Sequence, residues 1–297
     1  MNKLITLLKN IKYLMNNRLN ESQKIIVCDV LERFDSYYKY EILDDLDYIN
    51  NMPMLSVYDY NATIDLLLES PKSFCRFGDG EINLIEGNDI PFQEYNEDLG
   101  KRLKSILSTK NDSLYVGINY NYFHNTRQMN DYNRKFYLYD VKEYRERLVK
   151  YCNPDTKYIA AGFNQLYMVM DEFNFESYYE KVRDLFLNKE LILFCGEGIL
   201  DNLKYNVFDR CSSIKTIQYP SKNAYSSYDD IFKCAQSFSK DKVMCFILGP
   251  TSKVLVNDLN NLGYMAWDIG HLAKDYDAYM KKRTRSATEI ANFFMPD

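Results

Sequence analysis

Two patterns of apolar and polar residues alternate along this chain. From Lys72 onward, short apolar runs are bounded by glycine, proline or polar residues, which is typical of buried strands. This pattern predicts strands at Ser73–Phe77, Leu114–Ile118, Tyr158–Ala161, Leu191–Cys195, Ile214–Gln218, Val243–Leu248 and Tyr264–Trp267. Between these runs, apolar residues recur at helical spacing. That spacing predicts helices at Glu97–Leu107, Val141–Tyr151, Phe175–Leu187, Tyr228–Phe238 and Ser252–Leu262.

Strands that alternate with helices of this length form βαβ units, so we predict an α/β fold with a mainly parallel sheet flanked by helices. The first part of the chain has a different pattern. Apolar residues follow helical spacing in Glu21–Asp47 and in Ala62–Leu68, before the break at Pro71. We therefore predict an N-terminal helical extension at residues 1–70 and one α/β domain at residues 71–297.

Composition narrows the classes of function. A hydrophobic content of 46% is sufficient for a core, and a net charge of -5 gives no indication of nucleic-acid binding. The seven cysteines are scattered without a C-x-x-C pair, which indicates reduced thiols in a cytoplasmic protein. With only two histidines in the chain, we expect any metal to be bound by oxygen ligands rather than as zinc.

The segment Met1–Arg18 is a basic amphipathic stretch with four Lys or Arg residues and no acidic residue. Lysines interrupt its apolar positions, so it does not resemble a secretory signal, and no stretch of the chain is long enough to span a bilayer. We expect it to pack on its own domain or on a protein partner. Peripheral attachment to the inner face of a membrane is the alternative.

The first predicted strand ends in Gly78-Asp79-Gly80-Glu81. Two carboxylates separated by a glycine can point the same way from a tight bend, and they are suitable ligands for Mg²⁺ or Mn²⁺. The same residues are also common in turns for purely local reasons. Because ligands of parallel sheets bind beyond the carboxyl ends of strands, the position of this motif favours a site.

Other predicted strands also end in polar turns. Gly196-Glu197-Gly198 follows the fourth strand, and Ser221-Lys222-Asn223 after the fifth offers groups suited to phosphate or ribose. Gly249–Lys253 opens a helix, with Thr251 or Ser252 as the expected N-cap, and free N–H groups there favour an anion. Asp268-Ile269-Gly270-His271 follows the last strand. Each motif alone is also explained by capping or a solvated loop, but together they indicate a metal-assisted nucleotide site.

Taken together, these motifs resemble those of the GT-D-type glycosyltransferases, a family long known as a domain of unknown function. The resemblance covers roughly residues 70 to 280 and leaves the first part of the chain outside it. The motifs that carry it follow the family's order: Arg76–Glu81, Pro91–Gln93, Pro220–Tyr225, Leu248–Thr251 and Asp268–His271.

The resemblance implies a Rossmann-like fold that transfers glucose or another hexose from a UDP-sugar to a glycan or glycoprotein, in surface polysaccharide or glycoprotein biosynthesis. It implies that Asp79 and Glu81 bind a divalent metal, Mn²⁺ or Mg²⁺, at the donor diphosphate, where the metal stabilises the departing negative charge. The residues it places in catalysis are Asp79, Glu81, Asp268 and His271, with the general base unassigned. Those it places in donor binding are Arg76, Gly78, Gly80, Gly196, Ser221, Lys222, Asn223, Tyr225, Gly249, Pro250 and Thr251.

Two positions depart from the family's pattern. Ile199-Leu200 stands where relatives often carry a Ser-Arg pair, and Ala160–Phe163 stands where an arginine-containing turn is common. The loss of arginines near a diphosphate leaves the identity of the donor open. Two alternatives therefore remain: a non-catalytic nucleotide-sugar-binding or scaffold module, and a metal-dependent nucleotide phosphoesterase, which would need more metal ligands than Asp268 and His271 supply. The acceptor, the stereochemical outcome and the oligomeric state also stay open.

Overall fold

The computed structural model of the protein describes residues 54–295 and, before them, the isolated positions 8, 9, 11, 12, 20, 23, 24 and 31. At residues 138–143 the description covers the backbone alone. Apart from those isolated positions, the predicted helix at Glu21–Asp47 and the basic segment Met1–Arg18 lie outside the described residues.

Seven parallel strands form one sheet in the described chain, with the order β3-β2-β1-β7-β6-β4-β5. All seven predicted strands are confirmed, with each end within one residue of its prediction. Their bounds are β1 Ser73–Arg76, β2 Leu114–Ile118, β3 Ile159–Ala160, β4 Glu190–Gly196, β5 Ser213–Tyr219, β6 Val243–Ile247 and β7 Met265–Asp268.

Helices connect the strands and cover the sheet. Their bounds are α1 Tyr60–Glu69, α2 Asp79–Ile85, α3 Glu97–Ser108, α4 Asp131–Tyr151, α5 Leu166–Val169, α6 Phe175–Asp184, α7 Tyr228–Gln236, α8 Thr251–Asn261, α9 Leu272–Met280 and α10 Ala287–Phe294. The five helices predicted between strands are confirmed as α3, α4, α6, α7 and α8. Helix α8 packs against both β7 and β1.

Three local details differ from the predictions. The Gly-Asp-Gly segment is not an open turn, because α2 begins at Asp79 directly after the strand. Helix α4 begins at Asp131, well before the predicted Val141. Helix α8 begins at Thr251, and its N-cap Pro250 has no side chain that could cap it. Ser252 Oγ instead accepts a hydrogen bond from the backbone N–H of Leu248 at 3.0 Å, so its hydroxyl holds the preceding turn.

Residues just before α1 extend the sheet at the β3 edge. The backbone N–H of Tyr58 donates to the carbonyl oxygen of Tyr158, and that of Tyr158 donates to Ser56, each at 2.9 Å. Inside α1, Thr63 Oγ1 accepts a hydrogen bond from the N–H of Ala160 in β3 at 3.0 Å. The part of the predicted extension that the structure describes therefore packs on the α/β domain.

Strands β4 and β6 are the most deeply buried part of the sheet. Every residue of β6 is buried, as are all but the first of β4, whereas the edge strand β5 is mostly exposed. The cysteines Cys75, Cys152, Cys195 and Cys245 are buried free thiols, and burial raises the pKa of each. Among the described residues, none of the helices combines the length and apolarity needed to cross a bilayer.

The connections of the sheet diverge between β4 and β6. The chain leaves β4 toward β5 on one side and leaves β6 toward β7 on the other. Such a switch point opens a crevice beyond the carboxyl ends of the strands, where α/β proteins bind their ligands.

Candidate active site

A cavity of about 490 Å³ lies at the carboxyl ends of β1, β6 and β7. This volume falls in the range of small-molecule sites, about 300 to 1,000 Å³. The strand ends supply its charged residues, and α4 and the C-terminal helix α10 supply aromatic ones. Ten of the residues predicted from the sequence line it: Arg76, Gly78, Asp79, Gly80, Glu81, Ser221, Gly249, Pro250, Asp268 and His271.

Four charged side chains of the cavity wall form what we call the ion-pair cluster: Arg76, Glu81, Lys253 and Asp268. Lys253 Nζ lies 3.0 Å from Glu81 Oε1 and 3.2 Å from Asp268 Oδ2. It also donates to the carbonyl oxygen of Gly249 at 3.1 Å. Lys253 is only 5% exposed, Glu81 8% and Asp268 1%. The ammonium group therefore bridges two carboxylates in a nearly water-free setting.

Arg76 holds the other side of Asp268. Its Nη2 donates to Asp268 Oδ1 at 3.0 Å, and its Nε donates to the carbonyl oxygen of Asp268 at 2.9 Å. The backbone N–H of Arg76 also donates to Asp268 Oδ2, at 3.2 Å. Gly270 makes room for this guanidinium, because a Cβ at that position would lie 1.9 Å from Arg76 Nη2. The ends of β1 and β7 are thus joined through one arginine.

Burial and ion pairing shift the pKa values of the cluster in opposite directions. Burial alone disfavours the charged form of any group. At Asp268, burial raises the pKa, but Arg76 and Lys253 outweigh it and hold the pKa below its ordinary value. At Lys253, burial lowers the pKa, but Asp268 and Glu81 outweigh it and the pKa is raised. Both groups are therefore charged at neutral pH.

Asp79 and Glu81 lie in the first turn of α2. Glu81 Oε2 accepts a hydrogen bond from the backbone N–H of Gly78 at 2.8 Å, which is one half of a capping box. Asp79 is half-buried and lines the cavity, as does Tyr137, while Tyr122 is buried outside the lining. Burial raises the pKa of Tyr122 and Tyr137, and the negative charge of Asp79 contributes to both shifts.

The carboxylate oxygens of Asp79 and Glu81, in their present contacts, are poorly suited to bind a divalent cation. Both carboxylate oxygens of Glu81 already accept hydrogen bonds, one of them from the Lys253 ammonium. Two unit positive charges about 4 Å apart repel by roughly 4 kcal/mol at an effective dielectric constant of about 20, and a divalent ion doubles this. Within the described chain, no three or more His, Cys, Asp and Glu side chains are grouped to hold a metal ion. A metal at Asp79 and Glu81 stays a prediction from the sequence.

Five of the residues predicted for donor binding are absent from the cavity lining: Gly196, Lys222, Asn223, Tyr225 and Thr251. Lys222 is exposed, and Thr251 is fully buried. Among the described residues, Thr251 Oγ1 has no hydrogen-bond partner. At Gly196, a Cβ would lie 2.8 Å from the Cα of Ser221, so the glycine lets the Ser221 loop come close to β4.

Asn223 and Tyr225 hold the loop that carries Phe92. The backbone N–H of Asn223 donates to the carbonyl oxygen of Phe92 at 2.9 Å, and Asn223 Oδ1 accepts from the N–H of Glu94 at 2.7 Å. Gln93 Oε1 accepts from the N–H of Tyr225 at 3.2 Å. Because Phe92 lines the cavity, Asn223 and Tyr225 help to fix the position of its wall without lining it themselves.

Several residues of the site are not among the sequence predictions. The most central is Lys253, whose position in the first turn of α8 is itself a signal, since the helix dipole disfavours a cation there. The aromatic residues Tyr132, Phe136, Tyr137 and Phe294 also line the cavity, and they carry no motif that would single them out. Ile199 and Leu200 line it too, so the departure from the family's polar pair falls on the cavity wall.

His271 lines the cavity at the start of α9. Its ring packs beside those of Phe293 and Phe294, at centroid distances of 5.3 and 6.0 Å. The C-terminal helix α10 therefore contributes to the same wall as the last strand. His271 is half-buried, whereas Asp268, predicted beside it, is buried within the ion-pair cluster.

A family model described as "Glycosyltransferase GT-D fold" matches residues 74–292 of the chain. A protein described as probable glycosyl transferase Gly, from Streptococcus gordonii, is 31% identical over 225 residues, which is 75% of this chain and 33% of the relative. Glycosyltransferase GlyD from Streptococcus pneumoniae serotype 4 is 25% identical over 275 residues, 92% of this chain and 31% of the relative. The chain thus spans about a third of the length of these curated relatives.

Solved structures share the fold. One, described as the highly conserved domain of unknown function 1792 with a distinct glycosyltransferase fold, is 33% identical with a TM-score of 0.72, covering 77% of this chain and 82% of its own. Another, described as a new glycosyltransferase (DUF1792) from Streptococcus sanguinis, is 30% identical with a TM-score of 0.72, covering 77% and 86%. The Rossmann-like fold implied by the motifs is confirmed.

Proposed function

This chain belongs to the family of glycosyltransferases with the GT-D fold, and from that premise we propose that it transfers a hexose from a UDP-sugar to a glycan or glycoprotein. The observation that carries the proposal is the buried ion-pair cluster on the wall of a cavity at the carboxyl ends of β1, β6 and β7. The donor nucleotide and the acceptor class come from the resemblance of the motifs to this family.

Sugar transfer builds negative charge on the departing diphosphate, and fixed positive groups stabilise that charge. Arg76 and Lys253 lie on the cavity wall, and hydrogen bonds to their neighbours fix their positions. The wall also includes Gly249 and Pro250, directly before the first turn of α8. The positive end of that helix dipole also favours negative charge at this part of the wall.

Aromatic side chains give the cavity a face for the base or sugar of the donor. Tyr132 and Phe136, on α4, are 39% and 37% exposed, although both are large apolar residues. They line the same cavity as the charged strand ends, and Phe92 and Phe294 add further rings. Ligand sites commonly combine such apolar walls with a few polar groups that fix orientation.

The acceptor hydroxyl must lose a proton, and the candidates differ in their suitability as the base. Asp268 is buried, and Arg76 and Lys253 hold its pKa low, so it is a weak proton acceptor. Asp79 and His271 are half-buried at the cavity wall, within reach of a bound ligand. We assign the proton-accepting role to one of these two residues.

The first test is a thermal-shift panel of UDP, GDP, CMP and their sugars, each with Mn²⁺, Mg²⁺ or EDTA, followed by transfer assays with glycan and glycopeptide acceptors. We expect UDP or a UDP-sugar to raise the melting temperature and an acceptor to accelerate release of UDP. Of Asp79→Asn and His271→Asn, the change that removes the base should lower kcat by about a hundredfold or more, with little change in melting temperature. Asp201→Asn, the same change at an exposed position outside the cavity lining, is the control.

The outcomes separate the proposed function from its alternatives. Release of UMP, together with a sugar phosphate or inorganic phosphate and without any acceptor, would identify a phosphoesterase. A thermal shift without any product would identify a binding or scaffold module. No response to any nucleotide, with the protein folded, would rule out a nucleotide-sugar site in this cavity.

A further inference from the structure

Lys253 occupies a position that local helix energetics disfavour. It is the third residue of α8, where the positive end of the helix dipole repels a cation. It is also almost completely buried, at 5% exposure. A lysine in such a position needs compensation from elsewhere in the fold.

The compensation comes from two acids that lie far from one another in the sequence. The ammonium group has three donors, and its partners are Glu81, Asp268 and the carbonyl oxygen of Gly249. Lys253 thus joins the D-x-E motif of α2 to the acid at the end of β7. A divalent cation shared by these two carboxylates would have to occupy the same place.

The charges of the ion-pair cluster balance. Arg76 and Lys253 are positive, and Glu81 and Asp268 are negative. On the rest of the wall, Asp79 and Asp89 add two carboxylates and Lys274 one cation. Within the cluster itself, the positive charge that a metal would bring is therefore already present on side chains.

We propose that Lys253 takes the place of the divalent cation, so that this chain binds the diphosphate of its donor without a metal. The inference rests on the proposed function, since it concerns the nucleoside diphosphate of that reaction. Lys253 is a fixed cation on the cavity wall, and it keeps Glu81 and Asp268 from acting as metal ligands. Removing its charge should leave Glu81 without a cation and Asp268 with Arg76 as its only one, and thereby create a metal site.

The test has two parts, both by isothermal titration calorimetry. The first titrates Mn²⁺ alone into the wild-type protein, Glu81→Gln, Lys253→Met and the double variant Lys253→Met/Glu81→Gln. The second titrates UDP into the wild type and Lys253→Met, in EDTA and in Mn²⁺. Lys233→Met, at an exposed position of α7 outside the cavity lining, is the matched control.

We expect the wild type to bind UDP with affinities in EDTA and in Mn²⁺ that agree within about twofold. Lys253→Met should gain a Mn²⁺ site that the double variant lacks, and its UDP affinity should fall by about tenfold or more in EDTA but recover in Mn²⁺. Lys233→Met should behave as the wild type in both titrations.

The titrations of the wild type and Glu81→Gln test the inference even if Lys253→Met fails to fold. Mn²⁺ binding by the wild type that Glu81→Gln abolishes, or UDP binding that EDTA abolishes, would overturn the inference while leaving the proposed function intact. If UDP and UDP-sugars fail to bind under either condition, the proposed function fails and the inference falls with it.

Discussion

At the scale of single residues, the site depends on pairs that the sequence keeps far apart. The D-x-E motif and Asp268-x-x-His271 could be identified from their positions at strand ends, and Arg76 from the motif around it. The role of Lys253 could not, because it follows from contacts with Glu81 and Asp268 that only the folded sheet brings together. Its unfavourable position in a first helical turn was the available signal.

Gly270 provides a test of how tightly Arg76 is held. Gly270→Ala should place a Cβ 1.9 Å from Arg76 Nη2, and the backbone there has a φ of +44°. Displacing the arginine would leave Asp268 buried with a lost partner, which costs about 3 to 5 kcal/mol for a buried ion pair. We expect the free energy of unfolding, measured in urea, to fall by an amount of that order.

Gly198→Ala is the matched control for that change. Gly198 also has a positive φ, +79°, but a Cβ there would meet no atom within 4 Å. Its substitution should cost only the backbone strain, about 1 kcal/mol. Equal losses of stability at the two glycines would show that the contact with Arg76 does not constrain the site.

At the scale of elements, the strands were predictable because each buried strand is a short apolar run closed by a turn residue. Helix α2 was not predictable, because Gly-Asp-Gly has the composition of a turn. The Glu81 side chain nevertheless accepts a hydrogen bond from the Gly78 N–H and so stabilises the first turn of a helix. Helix α4 begins earlier than its apolar spacing indicated, at Asp131, where Asn130 accepts a hydrogen bond from the N–H of Asn133. Local hydrogen bonds thus set helix starts that hydrophobic periodicity does not reveal.

A buried carboxyl group links two elements behind the cavity wall. Asp275, on α9, is fully buried and accepts hydrogen bonds from the backbone N–H groups of Tyr167 and Met168 at the start of α5, each at 3.1 Å. The hydroxyl of Tyr179 donates to the same carboxylate at 2.5 Å. Burial raises the pKa of Asp275 to about 7, although these hydrogen bonds oppose the rise.

This pKa makes the stability of the fold depend on pH. A carboxyl group whose pKa is higher in the folded than in the unfolded state contributes stability at low pH, and the contribution is lost as pH rises from about 4 through about 7. Each unit of difference corresponds to about 1.4 kcal/mol. The wild type should therefore lose more stability than Asp275→Asn between about pH 5 and about pH 8, as measured by urea unfolding. An equal loss in both proteins would contradict the raised pKa.

At the scale of the whole molecule, the sequence predicted the architecture and the edge of the sheet that carries the chemistry. It did so because parallel strands place all of their carboxyl ends together, whatever their order. The order itself, with β7 between β1 and β6, could not be read from the sequence, and it is what brings Asp268 beside Arg76 and Lys253.

The most direct test of the whole account is a crystal structure of the protein with UDP. We expect the diphosphate to lie in the cavity beside Arg76, Lys253 and the Gly249-Pro250 turn, with the base against the aromatic residues of α4. UDP bound outside this cavity, or bound within it with its diphosphate away from the ion-pair cluster, would contradict the assignment of the site.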